Sequence, residues 1–347
     1  MKILVLNAGS SSLKYKLFID QVLSIEGLIE NITNYHKGIE EVEQRLQKEA
    51  NIDNLSSLDV VGHRVVHGGE IFKESVVIDR EVIETIKSLI PLAPLHNPAN
   101  LEGILMISEI APTLKQVAVF DTAFHQTLPP KAYHYALPYE LYKESGIRRY
   151  GFHGTSHQFV AKEASKILGK NLNKTSLITL HLGNGASLSA IKNGKSIDTS
   201  MGFTPLEGLM MGTRSGDIDP AILFYLAREY GYSIEQLDTM LNKKSGLLGI
   251  CHQNDMRQIH TMIKDGNSNA KLALEMFVYR IKKYIGAYYA ILGKVDALIF
   301  TGGIGENDKI TRELILNGLP FEIPSLVIKT DEELAIALEC EQKFRYN

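Results

Sequence analysis

One pattern occurs twice in the chain and constrains its fold more than any other feature. Residues 1–16 contain a short apolar run, a stretch of Asn, Gly and Ser that starts at Asn7, and a second strand-like run. Residues 177–201 repeat this order, with the small polar stretch starting at Gly183. The two stretches lie 176 residues apart in a chain of 347 residues. This spacing predicts a duplicated α/β unit, each copy opening with a strand–loop–strand hairpin.

The small polar residues at positions 7–12 are suited to holding an anion. Glycine and serine leave backbone N–H groups accessible and add hydroxyl groups, which together form anion-binding concavities. An ordinary hairpin turn has the same composition, so the first stretch alone leaves both interpretations open. The second copy at Gly183 favours a phosphate site, because two such loops can hold one polyphosphate.

The composition of the chain limits its partners. It has 37 Lys and Arg and 40 Asp and Glu residues, and the net charge of −3 gives no footprint for nucleic acid or an anionic membrane. The length fits two domains. Cys251 and Cys340 are too few for a disulfide framework and match no metal-binding spacing. The N-terminus resembles neither a signal peptide nor a membrane span, so we expect a cytoplasmic protein.

Charged and polar residues stand beside several apolar runs. Arg64 lies inside a Val-rich strand and requires an anionic partner, either a substrate or a structural carboxylate. Asp121 directly follows the buried strand VAVF, where catalytic groups of α/β folds collect; a helix N-cap is the alternative. His96 precedes a helix for which we predict Asn97 as the N-cap and Pro98 as the first helical residue.

Three further segments combine glycine with groups that bind anions. The segment RRYGFHGTSH contains His153 and His157, but no HExxH motif or third ligand supports a zinc site, and no GxSxG motif supports a serine hydrolase. A glycine-dense loop at 202–219 carries Arg214. Residues 296–307 predict a strand that runs into a third glycine-rich loop.

Together these features indicate phosphoryl transfer. Backbone donors hold phosphates, cations neutralise developing charge and a carboxylate holds Mg²⁺. The chain has neither the GxxxxGK[ST] motif nor the third glycine of a dinucleotide fingerprint. A duplicated hairpin-loop nucleotide site is instead typical of the sugar kinase, actin and chaperone ATPase superfamily.

The order of the motifs resembles the acetate kinase family across nearly the whole chain. The motifs are NAGSSSLKYKLF, GHRVVHGGE, HNPAN, FDTAFHQTLP, RRYGFHGTSH, HLGNGAS, TSMGFTPLEGLMMGTRSGDIDP, GGIGEN and TDEELAIA. The resemblance implies reversible phosphoryl transfer between ATP and acetate, with Mg²⁺ or a substituting Mn²⁺, in a homodimer. It also implies an α/β fold of two duplicated ribonuclease H-like (actin-like ATPase) domains around a central cleft. The first domain would comprise residues 1–124 and 333–347, and the second, with the adenosine site, residues 125–332.

The same resemblance implies roles in binding and catalysis. Arg64 and His96 would bind the acyl substrate, and Asp121 would orient the metal and the substrate. His153 and Arg214 would stabilise the transferring phosphoryl group. The chemistry agrees, because a carboxylate nucleophile with a reference pKa of about 4 is already ionised and needs no strong base.

Metal and nucleotide contacts are also implied by the resemblance. Asn7 and Glu332 would hold Mg²⁺, and Ser10 to Ser12 would lie near the transferring phosphoryl group. The implied nucleotide contacts are Lys14, His181, Leu182, Gly183, Asn184, Gly185, Asp255, Met256, Arg257, Gly303, Ile304, Gly305, Glu306 and Asn307.

Acyl selectivity is open at this point. The apolar candidates for the acyl pocket are Val66, Leu95, Phe152 and Pro205. A propionate or butyrate kinase is an alternative, because an apolar pocket discriminates between substrates that differ by one methylene by only about 1–3 kcal/mol of binding free energy. An actin-like ATPase without kinase activity is a further alternative, but it would not need a carboxylate-binding arginine.

The chain departs from the familiar family pattern by two deletions. It is shorter between Glu30 and Asp59 and between Asn307 and Asp331. All motifs persist on both sides of each gap, so we expect intact chemistry and trimmed surface elements. The second deletion shortens the path from the adenosine loop to Glu332.

Overall fold

The computed structural model describes residues 1–9, 11–32 and 34–345. These residues divide into two compact units. Unit 1 comprises residues 1–126, residues 154–159 and the C-terminal segment from Asp331, and unit 2 comprises residues 127–153 and 160–330. Each unit has its own central β-sheet.

Unit 1 is built on a mixed sheet whose first three strands form an antiparallel meander. Its strands are β1 (Lys2–Gly9), β2 (Ser12–Ile19), β3 (Val22–Glu30), β4 (Val60–Val65), β5 (Val76–Val77) and β6 (Lys115–Phe120). β1 pairs antiparallel with β2 and parallel with β4, and β4 pairs parallel with β6. The strand order among the described residues is β3-β2-β1-β4-β6-β5. The carboxyl ends of β1, β4 and β6 therefore lie side by side.

Helices cover both faces of this sheet. They are α1 (Tyr35–Ala50), α2 (Arg80–Ser88), α3 (Asn97–Ile110) and α14 (Glu332–Arg345). Successive side chains of β1 point to opposite faces, so Leu4 and Leu6 join a core with α1 and α3, whereas Ile3 and Val5 join a core with α14.

The start of α3 differs from the prediction. His96 is the N-cap residue and makes no side-chain capping bond, and Asn97 is the first helical residue. The prediction of Asn97 as N-cap is therefore wrong by one position. The physical reason is that the Asn97 side chain bonds the backbone of His67 and is not available for capping.

Unit 2 repeats the arrangement around its first strand. Its strands are β7 (Ser176–Leu182), β8 (Ala186–Lys192), β9 (Lys195–Thr199), β10 (Ala297–Thr301) and β11 (Ser325–Val327). β7 pairs antiparallel with β8 and parallel with β10, as β1 does with β2 and β4. The order within the described chain is β11-β10-β7-β8-β9. The predicted duplication is thus confirmed at the level of strand order.

The helices of unit 2 surround this sheet. They are α4 (Pro130–Tyr133), α5 (Tyr139–Ser145), α6 (Gly154–Ile167, whose first residues belong to unit 1), α7 (Ala221–Tyr230), α8 (Ile234–Lys243), α9 (Gly246–Cys251), α10 (Met256–Lys264), α11 (Ser268–Leu292), α12 (Gly302–Asn307) and α13 (Lys309–Leu316). α11 begins after the Asn267 cap, ends at Gly293 and buries Phe277, Ile281 and Ile285. Neither α11 nor another helix of the described residues combines the length and apolar character needed to cross a membrane.

The third glycine-rich segment is a helix, so the prediction of a loop after β10 is wrong. Residues 302–307 form α12 directly after the strand. Gly302 has a φ of +76°, and a Cβ at this position would lie 2.8 Å from the carbonyl oxygen of Leu182. Glycine therefore allows an immediate turn from strand to helix in a crowded place.

Candidate active site

Arg64 and Asp121 lie at the carboxyl ends of two neighbouring strands of unit 1. Arg64 is in β4 and Asp121 follows β6. Nε of Arg64 donates to Oδ1 of Asp121 at 3.0 Å, and Nη2 donates to Oδ2 at 2.6 Å. The expected anionic partner of Arg64 is thus present in the protein, while 22% of the Arg64 side chain stays exposed. Within the described residues, Nη1 of Arg64 has no hydrogen-bond partner.

Other predicted residues influence this pair electrostatically. Burial opposes the charge of Arg64, but the carboxylates of Asp121 and Glu332 outweigh it and raise the pKa of Arg64. Burial raises the pKa of Asp121; Arg64 and His96 oppose this rise, and Glu332 adds to it. The structure therefore brings Arg64, His96 and Glu332 within electrostatic reach of Asp121.

The first hairpin is tighter than the sequence predicted. β1 continues through Gly9 and β2 begins at Ser12, so Asn7 lies in the ladder opposite Lys14. The prediction of an open loop from Asn7 onward is wrong, because the backbone there belongs to the antiparallel sheet. The ladder reaches Gly9 opposite Ser12, and the prediction for Ser10 lies outside the described residues.

Lys14, a predicted nucleotide contact, is engaged within unit 1. Its Nζ lies 2.6 Å from Oε1 of Glu333, and Lys16 lies 3.4 Å from Oε2 of the same carboxylate. Burial favours the neutral form of Glu333 and would raise its pKa. The positive charges of Lys14 and Lys16 have the larger combined effect, so the pKa of Glu333 is lowered. Lys16 also pairs with Asp331 at 3.2 Å. These pairs connect β2 with the first turn of α14, which contains Glu332; the nucleotide role of Lys14 stays a prediction.

His153 and His181 lie together in unit 2. His153 is the N-cap residue of α6 and has a φ of 56°, a left-handed conformation that is uncommon for residues other than glycine. Its Nδ1 is hydrogen-bonded to Oγ of Ser187 at 2.9 Å, which fixes the ring orientation. The His153 and His181 rings stack with their centroids 4.2 Å apart.

Arg214 lies close to His153 beside the second hairpin. A Cβ on Gly185 would be 3.4 Å from Cε1 of His153 and 3.5 Å from Nη1 of Arg214. Nη1 of Arg214 donates to the Pro205 carbonyl at 3.1 Å, and no carboxylate of the described residues pairs with it. Burial lowers the pKa of Arg214. Unit 2 therefore holds a half-buried cation whose charge the described protein groups do not balance.

A cavity of about 560 Å³ lies within unit 2, a size suited to a small-molecule ligand. It is lined by Gly183, Asn184, Asn254, Asp255, Met256, Arg257, His260, Gly303, Ile304, Asn307 and Asp308. Most of these residues were predicted as nucleotide contacts. Asn254, His260 and Asp308 were not predicted from the sequence. One turn separates His260 from Met256 on α10, and this spacing could have indicated a shared face.

One ion pair and one hydrogen bond between a histidine and a carboxylate shape the cavity wall. Asp255 is the N-cap of α10, and hydrogen bonds from Arg257 lower the pKa of Asp255 to about 2. Nε2 of His260 donates to Oδ2 of Asp308 at 2.7 Å. Both carboxylates are therefore already engaged by protein groups.

Besides Lys14 of unit 1, five predicted nucleotide contacts are not on the cavity lining. These are His181, Leu182, Gly185, Gly305 and Glu306. Leu182 is buried in the sheet, and Oε1 of Glu306 accepts the N–H groups of Gly302 and Thr330, each at 3.0 Å. The Glu306 side chain thus supports the backbone around α12.

The four candidate residues for the acyl pocket differ in burial. Val66 and Phe152 are buried, Pro205 is partly buried and Leu95 is exposed. Val66 and Leu95 belong to unit 1, and Phe152 and Pro205 belong to unit 2. Their common role in acyl selection stays a prediction.

The oxygen donors of unit 1 fit a hard divalent cation. No three His, Cys, Asp or Glu side chains of the described residues are grouped to hold a metal by themselves. Mg²⁺ does not require such a group, because it keeps several waters and takes one or two carboxylates together with substrate phosphates. Asp121 and Glu332 are carboxylates of unit 1 that interact electrostatically, because the charge of Glu332 raises the pKa of Asp121.

Comparison with known proteins gives matches over almost the whole chain. Residues 26–343 match the model of the acetokinase family. An acetate kinase of Sulfurovum sp. (strain NBC37-1) is 55% identical over 96% of this chain and 90% of its own length. The crystal structure of Porphyromonas gingivalis acetate kinase is 43% identical, with a TM-score of 0.94 over 98% of this chain and 99% of that one. A propionate kinase structure from Francisella tularensis subsp. tularensis SCHU S4 is 44% identical, with a TM-score of 0.92 over 97% and 98% of the two chains.

Proposed function

The chain belongs to the acetokinase family, and from this premise we propose that it catalyses reversible phosphoryl transfer between ATP and acetate, giving ADP and acetyl phosphate. The predicted fold class, α/β with two duplicated actin-like ATPase domains, is confirmed by the structural relatives. The observation that carries the proposal is Arg214, a half-buried guanidinium that no carboxylate of the described residues neutralises, in the unit that contains a nucleotide-sized cavity.

Arg64 would bind the carboxylate of acetate. Asp121 uses Nε and one hydrogen of Nη2, and Nη1 has no partner among the described groups. The guanidinium therefore retains donors for a second carboxylate. Asp121 fixes the plane of the guanidinium, and burial of the pair strengthens its interaction with an anion that enters.

The reaction needs charge neutralisation more than it needs a base. Acetate is ionised at neutral pH and can attack the γ-phosphoryl directly, with its carboxylate forming the new P–O bond while the bond to ADP breaks. His153 and Arg214 would donate to the equatorial oxygens of the transferring group. Asp121 would orient acetate rather than accept a proton, because no proton is removed from the nucleophile.

We propose Mg²⁺ as the metal, with Mn²⁺ as a substitute. The Asn7 amide oxygen and the Glu332 carboxylate would hold it, with Asp121 orienting it. When bound, the metal neutralises charge on the phosphates of the nucleotide. The pairing of Lys14 with Glu333 would help to hold the first turn of α14, and with it Glu332, in place.

The nucleotide would occupy the cavity of unit 2. The Gly183 and Gly303 backbones present no side chain at its wall, which permits close approach of a ligand. Met256 and Ile304 supply apolar surface for a base, and polar groups such as Asn184 and Asn307 surround it.

A propionate kinase is the second candidate, because one structural relative carries that name. The test is trapping of the acyl phosphate with hydroxylamine, measured as kcat/KM for acetate, propionate and butyrate. We expect acetate to have the highest value. A higher kcat/KM for propionate assigns the chain to the alternative, and ATP hydrolysis that is indifferent to all three acids contradicts the kinase function.

We further propose a homodimer, as the family resemblance implies, and a cytoplasmic location, since the chain has only two cysteines. Large exposed apolar side chains on and near α7 and α8, including Phe224, Tyr230 and Ile234, support an interface between copies. Light scattering is expected to give twice the mass of the chain.

A further inference from the structure

Two asparagines of α3 are buried and bonded to backbone groups. Asn97 and Asn100 are 0% and 3% exposed. Oδ1 of Asn97 accepts the His67 N–H at 3.1 Å, and Nδ2 donates to the His67 carbonyl at 3.0 Å. Oδ1 of Asn100 accepts the Val66 N–H at 3.0 Å, and Nδ2 donates to the Ala8 carbonyl at 2.8 Å.

The backbone groups held by Asn100 adjoin two residues of the proposed site. Val66 follows Arg64 by two residues, just beyond β4, and Ala8 follows Asn7 in β1. β1 and β4 are neighbouring parallel strands. The Asn100 amide therefore joins the ends of adjacent strands, one of which carries Arg64 and the other Asn7.

The packing of α3 fixes the same contact. Gly103 lies three residues after Asn100, on the same side of the helix. A Cβ on Gly103 would be 3.3 Å from Cβ of Ala8, a tight approach. The absent side chain lets the helix lie close enough to β1 for the Asn100 amide to reach the Ala8 carbonyl.

We propose that Asn100 is a positioning residue for phosphoryl transfer and that Asn97 supports it. The Asn100 amide fixes the strand end that carries Arg64 relative to the hairpin that carries Asn7. An amide is required, because one side chain must accept the Val66 N–H and donate to the Ala8 carbonyl; neither an ionised carboxylate nor an alkyl group does both. The inference rests on the proposed function, since Arg64 and Asn7 meet a substrate only in that reaction.

The test compares Asn100→Leu with Gln116→Leu in the full chain. Gln116 is a buried amide of the same sheet near the start of β6; it accepts from His63 and donates to Ser108, each at 2.8 Å. Each substitution removes two side-chain hydrogen bonds with a small change in volume, so both variants lose stability to urea. Only Asn100→Leu is expected to raise KM for acetate at least about tenfold and to lower kcat, with KM for ATP within about twofold of wild type.

Amide hydrogen exchange supplies a readout that is independent of activity. In Asn100→Leu the Val66 N–H loses its acceptor, so a peptide covering residues 64–70 should exchange faster. Gln116→Leu should leave exchange in that peptide unchanged. If Asn100→Leu does not fold, Asn100→Ser is measured in its place, with the same direction of change expected.

Equal KM values for acetate in the two variants would overturn the positioning role, and so would unchanged exchange at residues 64–70. Failure of the proposed function is distinguishable from both outcomes. In that case the wild-type chain itself forms no acyl phosphate, whatever the Asn100 variants do.

Discussion

Arg214 differs from Arg64 and Arg149 because no carboxylate of the described residues neutralises it. Arg214→Ala is expected to reduce kcat about 10³-fold or more, since arginines that stabilise a transferring phosphoryl group have effects of this size. The melting temperature should change little, because the substitution removes a hydrogen bond to the Pro205 carbonyl but no ion pair with a carboxylate of the described residues. Steady-state kinetics and thermal unfolding on the same preparation check both expectations.

Arg214→Lys is the matched variant for this test. Lysine keeps the charge but lacks the planar fork of donors, so an intermediate kcat is expected. Wild-type turnover in Arg214→Ala would contradict a role in catalysis. Loss of the fold in that variant would assign Arg214 to structure instead.

His63 and His67 make stability depend on pH. Burial lowers the pKa of each to about 4. The unfolded chain takes up these protons near pH 6.5, so the free energy of unfolding decreases as pH falls from 6.5 towards 4, by up to about 1.4 kcal/mol per pH unit for each histidine. His63→Gln removes one of these protonation steps, and urea unfolding between pH 5 and 7.5 should show a shallower slope. A slope equal to that of wild type would show that His63 does not contribute.

At the scale of residues, the sequence indicated which residues belong to the site better than it indicated which residues they contact. An arginine in a Val-rich strand and an aspartate at a strand end were recognisable, and the structure pairs them. The pairing of Lys14 with Glu333 joins residues that are far apart in the chain, so no local pattern marks it. Asn97 was misread for a related reason, because its competing partner His67 is distant in sequence.

At the scale of elements, an ion pair between Arg149 and Glu207 holds the loop that carries Arg214. Arg149 pairs with Glu207 and donates to the carbonyls of Thr199, Ser200 and Met201. The Tyr135 hydroxyl donates to Glu207 as well. The segment before Arg214 is therefore held by hydrogen bonds to its backbone carbonyls and by contacts to its Glu207 side chain.

Removal of the Glu207 carboxylate should loosen this loop. Glu207→Ala is expected to lower the free energy of unfolding by about 1–3 kcal/mol, less than for a fully buried pair because 30% of the Glu207 side chain is exposed. It should also lower kcat, since Arg214 loses its support. Glu207→Gln keeps a hydrogen-bond acceptor for Arg149, so the free energy of unfolding and kcat should both decrease less than in Glu207→Ala. Reduced stability with unchanged kcat would show that the anchor does not serve catalysis.

Elements with strong local signals were predictable. The Ser233–Gln236 capping box and the end of α11 before Gly293 follow from residues next to the helix ends. The glycines of α12 were misread because glycine favours loops in isolation. There the helix is supported by Glu306, whose carboxylate accepts the Gly302 N–H.

At the scale of the whole molecule, the repeated hairpin was the most informative signal. Both sheets place an antiparallel hairpin beside a parallel strand, and this order follows from the two copies of the pattern. The cavity of unit 2 was only partly predictable, because Asn254, His260 and Asp308 reach its wall through folding of separate segments. Such contacts depend on how helices pack, which a single sequence does not specify.

The central claim is that this chain transfers a phosphoryl group from ATP to acetate. Phosphorus NMR of the wild-type chain with ATP, Mg²⁺ and acetate measures every product at once. We expect acetyl phosphate and ADP in equal amounts, with formation of both dependent on acetate. ADP together with inorganic phosphate, at a rate indifferent to acetate, would contradict this claim.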